Sequence, residues 1–222
     1  MSSARLMAEI GRACDEAEDN PGTVLQIQLH GVAPGTPSQC AWGEGAEVQL
    51  VSQWERTLRR LERLPAPLIA AFEGDCVGLL FDVLLIADYR IAAPNTRFEL
   101  PKVHSAVWPG MTLYRLTSQL GIGAARRLVL FGQVLSAEQA LSTGLLDELD
   151  AEPRSRAEAF CQQTAVPAWR DVAVRRRLML EVASTPYEEA LGAHLAASDR
   201  TLRAAAVARQ AELSRSLDIQ PA

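Results

Sequence analysis

The segment that most constrains the fold is LIAAFEGDCVGLLFDVLLIADYRIAAP, residues 68–94. LIAAFEG reads as a short buried strand, GDCVG as a glycine-bracketed turn, LLFDVLLI as a helix and YRIAAP as another strand. A helix this apolar has no face to give to water, so it has to be enclosed by other elements. Asp82 is the one acid inside it. A buried charge costs several kcal/mol unless it is partnered, so Asp82 marks either a structural ion pair or a site.

The flanking sequence supplies the enclosing elements. Residues 3–19 place Leu6, Ile10, Cys14 and Ala17 at helical spacing, and Asn20-Pro21-Gly22 stops them. TVLQIQLHG alternates as a strand ending at Gly31, and residues 31–45 are glycine- and proline-rich loop. A helix over 47–64 carries Leu50, Trp54, Leu58 and Leu61 on one face. TRFELPKV reads as one more strand, and WPGMTLYRLTSQLGIGAARRLVLFG as two helices parted by a glycine break. Ser136 opens a short helix with Glu138 in its first turn, and LLDEL returns as a strand. From about Glu158 onward the pattern is helical, with breaks at Pro167 and Pro186. Strands alternating with helices predict an α/β core of mainly parallel strands.

Charge and composition remove several functions. A net charge of −5 does not suit a protein that neutralises many phosphates, so no nucleic-acid partner is expected. No run reaches the roughly 18 apolar residues of a membrane span, and the acidic first twenty residues are not a signal peptide. Cys14, Cys40, Cys76 and Cys161 lack paired spacing, which predicts reduced thiols in a cytoplasmic protein rather than disulfides or zinc. His30, His104 and His194 have no metal-ligand spacing, so no metal is expected. LGIGAA follows a helix and lacks a third glycine, so it is no dinucleotide turn, and there is no Gly-x-Ser-x-Gly elbow.

PAPLIAAFEGDCVGLLFDVLLIADYRIAAPNTRFELPKVHSAVWPG, followed by GQVLSAEQALSTGLLDEL, resembles the crotonase (enoyl-CoA hydratase/isomerase) superfamily. The resemblance runs over about residues 6–200 and is strongest over 65–150. It implies a ββα spiral core acting on acyl-CoA over residues 1–165, and a C-terminal helical oligomerisation region over 166–222. It also implies a lyase with no permanently bound cofactor, coenzyme A being part of the substrate, and assembly as a homotrimer or hexamer. In the family two strands and a coenzyme A-contacting loop precede the helix at which this chain starts. The resemblance therefore places those strands upstream or leaves them missing.

By position, the family's oxyanion donors fall on the N–H of Leu79, just after Gly78, and on Ala41 or Trp42 of the CAWGE loop. Two such donors stabilise the enolate oxygen of a thioester. Asp82 takes the place of the first hydratase glutamate and Lys102 that of the second, so ordinary two-glutamate hydration does not fit. Trp108, Pro109, Gly110 and Met111 take the acyl-pocket positions, with Glu99 a further acid nearby. Asp82 has a structural alternative, an ion pair with Arg90 or Lys102, and Cys76 has no base in view. VSQWERTLRRLERLPA leading into GDCVG and VWPGMTLYRL resembles one branch of the family, which works beside a type III polyketide synthase towards dihydroxyphenylacetyl-CoA. That likeness implies dehydration and aromatisation of a polyketide thioester. Two alternatives stand beside it: a decarboxylase of the same fold, and a catalytically silent partner of a second, active hydratase.

Overall fold

In the computed structural model the described residues are 3–20, 22–33, 42, 47–104, 106–163, 169–182 and 184–217. The chain divides into two compact units, residues 1–173 and 174–222.

The first unit opens with helix α1 (Ser3–Asp19), strand β1 (Leu25–His30) and helix α2 (Val48–Glu62). Strand β2 (Leu68–Glu73), the two-residue β3 (Cys76–Val77), helix α3 (Leu79–Ile86) and strand β4 (Tyr89–Ala92) follow. The short strands β5 (Arg97–Glu99), β6 (Lys102–Val103) and β7 (Ala106–Val107) lead into helix α4 (Met111–Phe131). Strand β8 (Leu135–Ser136), helix α5 (Ala137–Ser142), strand β9 (Glu148–Leu149) and helix α6 (Pro153–Gln163) complete it.

The main sheet runs β1-β2-β4-β9, with every pairing parallel. Strand β2 alternates between two cores. Leu68, Ala70 and Phe72 point into the large core with α1, α2 and α3, while Ile69 and Ala71 meet Ile91 and Ala157 on the other side. Both faces of a parallel sheet are covered in this way, which is why β2 reads as an unbroken apolar run. The buried face of α1 is Leu6, Ile10, Cys14 and Ala17, and that of α2 is Trp54, Leu58 and Leu61, as their spacing predicts. Arg60 of α2 bonds Asp15 and Glu18 of α1, both at 2.6 Å.

The segment expected as one strand, TRFELPKV, is two. Leu100-Pro101 ends β5, which pairs with β3 and β8, and Lys102–Val103 turns back on Ala106–Val107 through His104 at φ 56. Proline has no N–H for a ladder, so the break follows from residue 101. Gly121, at φ 77, kinks α4 at the expected glycine break. Ser136 caps α5 through a reciprocal capping box with Gln139. Helix α6 begins at Pro153, earlier than expected; proline suits a helix start because its missing N–H would be unpaired there anyway.

The second unit holds the end of helix α7 (Trp169–Glu181) and helix α8 (Tyr187–Leu217). Helix α8 exposes Leu191, Leu195, Leu202, Val207 and Leu213 and has no concentrated apolar stripe.

Candidate active site

The site is built on the turn before α3. Gly31 lies so close to this turn that a Cβ there would come within 2.1 Å of the Asp75 carbonyl oxygen, and Val32 and Asp75 exchange backbone hydrogen bonds. The Asp75 carboxylate is fully buried. It accepts from the Arg97 backbone N–H and from the Arg97 guanidinium, the latter at 2.6 Å through Nη2. The turn is thus anchored on two sides. Gly78 then takes φ 63 and ψ −136, a conformation open to glycine and strained for other residues, and starts α3. Leu79 is the first helical residue. Its N–H belongs to the set at a helix start that has no intrahelical acceptor.

Asp82 lies three residues on, so its side chain shares a helix face with Leu79 and leans back towards the N-terminus of α3. It is 2% exposed. Six apolar neighbours in the same helix, Leu79, Phe81, Val83, Leu84, Leu85 and Ile86, are buried with it. Their burial contributes on the order of 10 kcal/mol and offsets the several kcal/mol of enclosing the carboxyl.

The ion pair considered for Asp82 is not formed with either cation. Arg90 donates to the carbonyls of Ala87, Leu85 and Leu145 and to Gln119 Oε1, so it closes the C-terminal end of α3. Lys102 pairs with Glu99, three residues before it. Both cations have acceptors next to them in the chain. Asp82 instead accepts from two uncharged donors: Trp54 Nε1 of α2 at 2.8 Å on Oδ2, and Thr112 Oγ1 of α4 on Oδ1. Burial pushes the Asp82 carboxyl up to about 6, against the two hydrogen bonds, which hold it down. Nearby, Glu55 raises it further and Arg115 lowers it.

Gly78, Leu79 and Asp82 therefore come together at one helix start. The Trp-Pro-Gly-Met segment leads directly to Thr112. Trp108 folds back over Gly110, where a Cβ would sit 2.4 Å from its indole nitrogen, and its ring lies 5.9 Å from that of Trp42. Trp42 is buried, and its Nε1 has no hydrogen-bond partner. Pro109 and Met111 are exposed. Lys102 and Glu99 form their own half-buried pair. Ala41 and Cys40 lie outside the described residues. Cys76 is fully buried, and desolvation with Asp82 and Asp75 nearby pushes its thiol far up, so it is no nucleophile near neutral pH. Among the described residues no group of three or more His, Cys, Asp or Glu could hold a metal, and no helix is long and apolar enough to cross a membrane.

Sequence reasoning missed Trp54 and Thr112, and with them Glu55 and Arg115. The signal for Trp54 was present. A tryptophan on a buried helix face needs an acceptor for its N–H, and Asp82 was the one acid in an apolar segment.

The parallel sheet, the glycine turn and the acid after it define a crotonase-type fold, and residues 3–205 match the enoyl-CoA hydratase/isomerase family. This chain belongs to that family. It is 43% identical over 195 residues to an enoyl-CoA hydratase of Amycolatopsis orientalis, covering 88% of each chain. Among solved structures it resembles an enoyl-CoA hydratase of Bacillus anthracis, with a TM-score of 0.75 at 22% identity over 90% of this chain and 81% of that one. A Pseudomonas aeruginosa protein superposes with a TM-score of 0.68 at 27% identity, covering 85% of each chain.

Proposed function

We propose that this protein is a hydro-lyase that removes water from a β-hydroxy acyl-CoA, and that its substrate is a cyclised polyketide thioester which becomes aromatic on dehydration. The observation that carries the reading is Asp82: a buried carboxyl one turn into α3, beside the Leu79 N–H, titrating at about 6. Near neutral pH such a group is mostly ionised and its protonated form is still accessible, as a group that both takes and gives a proton requires.

The thioester oxygen sits at the Leu79 N–H and at a second N–H from the loop containing Ala41 and Trp42, where enolate charge develops. The Asp82 carboxylate takes the α-proton; the electron pair of the C–H bond passes to the carbonyl oxygen. As the enolate collapses the β-hydroxyl leaves, carrying the proton that Asp82 returns to it as water. Each carboxylate oxygen accepts one hydrogen bond from the protein and keeps a lone pair for this transfer. One carboxyl serves both transfers, consistent with Lys102 at the second acidic position being tied to Glu99. That pairing also disfavours the decarboxylase reading, in which a free Lys102 ammonium would hold the departing carboxylate.

The likeness of VSQWERTLRRLERLPA, GDCVG and VWPGMTLYRL to the branch that serves dihydroxyphenylacetyl-CoA supports the polyketide substrate and a type III synthase as its source. The proposal includes a cytoplasmic setting, residues 1–165 as the acyl-CoA-binding core, and residues 166–222 as the contact region of a homotrimer or hexamer. The test adds the protein to a malonyl-CoA-consuming type III synthase and follows product mass. Wild type should shift products to the aromatic acyl-CoA, and Asp82→Asn should not. Equal shifts by both would make the protein a silent scaffold, and no shift by either would end the polyketide reading.

A further inference from the structure

We infer that the buried Arg115 and the partly buried Glu55 and Glu62 form a clamp that positions and tunes the Asp82 carboxyl. Two rungs join α2 to α4. In the first, Trp54 of α2 and Thr112 of α4 both donate to Asp82. In the second, Arg115 of α4 holds Glu55 at 3.0 Å through Nη2 and faces Glu62 at 3.5 Å through Nε.

The rungs are linked along each helix. Glu55 follows Trp54 directly, and Arg115 lies three residues, one turn, after Thr112. Glu55 and Glu62 are seven apart and share a face of α2, so one guanidinium fork spans them. The Arg115 side chain is 6% exposed, with Glu55 at 22% and Glu62 at 14%. Arg115 Nη1 is buried without a hydrogen-bond partner, so the two glutamates carry its fixation. Loss of the clamp would leave the α2–α4 spacing free to relax, and both donors to Asp82 depend on that spacing.

The clamp also has a sign. Glu55 and Arg115 bring charges of opposite sign to bear on Asp82. Among the described residues the ionisable groups facing Asp82 are Glu55 from α2, Arg115 from α4 and the neutral Cys76 thiol from β3; α3 brings no other. Glu55 works to keep the proton on Asp82 and Arg115 to remove it.

This inference takes its catalytic meaning from Asp82 as the acting acid, but its test does not depend on turnover. The Trp54 indole N–H, which bonds Asp82 directly, should report its protonation in a pH titration by nuclear magnetic resonance; its signal is assigned by its loss in Trp54→Phe. Glu55→Gln should lower the titration midpoint and Arg115→Met raise it, each by roughly 0.5 to 1 in pH, with Arg115→Lys falling between Arg115→Met and wild type. Opposite shifts support the clamp. Identical midpoints, or shifts of one sign, overturn it. Should Arg115→Met fail to fold, Glu55→Gln and Arg115→Lys carry the same comparison. In the reconstituted assay the pH limb of turnover should move with the resonance. A moving resonance with a stationary limb would remove Asp82 from the chemistry and leave the clamp standing.

Discussion

Replacing Asp82 by Asn should remove a pH dependence of stability that runs opposite to that of the salt-bridged carboxylates behind most acid denaturation. The Asp82 carboxyl is pushed up from 3.8 to about 6 on folding, chiefly by desolvation. Between those values the native state binds a proton that the unfolded chain has released. Stability from this group is therefore present at low pH and lost as pH rises through about 6. With those two values the linkage gains on the order of 1 kcal/mol between pH 8 and pH 5. Asparagine has the same shape and cannot titrate. Its amide oxygen can still accept from Trp54, while the Thr112 hydroxyl can turn to accept from the amide NH₂. The variant should thus equal or exceed wild-type stability at pH 8 and lose that advantage by pH 5. Urea unfolding of both proteins at pH 5, 6, 7 and 8, at one fixed protein concentration, measures this as a difference curve in which other titrating groups cancel. A difference that stays flat from pH 5 to 8 would refute the reasoning. So would a wild type that weakens relative to the variant on acidification, which would make Asp82 an ordinary low-pKa anion held by its two donors.

Gly78→Ala forces a side chain into φ 63, ψ −136. It should cost about 1–3 kcal/mol and abolish turnover by re-aiming the Leu79 N–H; a wild-type urea midpoint would contradict this. Ser136→Ala removes the capping box of α5 and should lower stability by about 1 kcal/mol with turnover retained, a pairing that urea midpoints and the synthase assay read together.

Which parts of this molecule could be read from sequence follows from how local their causes are. The buried faces of α1 and α2 were legible because a 3.6-residue repeat decides them within one element. The β2-turn-α3-β4 unit was legible because an unbroken apolar helix between two strands has few other placements. Asp82 stood out for the same reason, but its partners did not. Trp54 lies 28 residues before it and Thr112 30 residues after, and only the packing of three helices brings them into contact. Charge complementarity pointed instead to Arg90 and Lys102. Each of those cations had nearer acceptors, Glu99 for Lys102 and the carbonyls ending α3 for Arg90, which cost less chain ordering to reach. The Arg115 clamp was invisible for a related reason: its three members look like the solvated charges of two ordinary amphipathic helices until the helices are packed together.

The stitch between Gly31–Val32 and Gly74–Asp75 bears on how such a protein can diversify. The chain enters the segment after residue 33 from a point already bonded to the turn that launches α3, and α2 begins at Val48. Insertions, deletions or exchanges between those two points would leave the start of α3, and so the Leu79 N–H and Asp82, where they are. Substrate choice, and with it the second proposed oxyanion donor near Trp42, could then be rewritten in that stretch while Leu79 and Asp82 are inherited unchanged. Grafting the corresponding loop of a relative with a different acyl preference into this chain would be the direct way to exploit that independence.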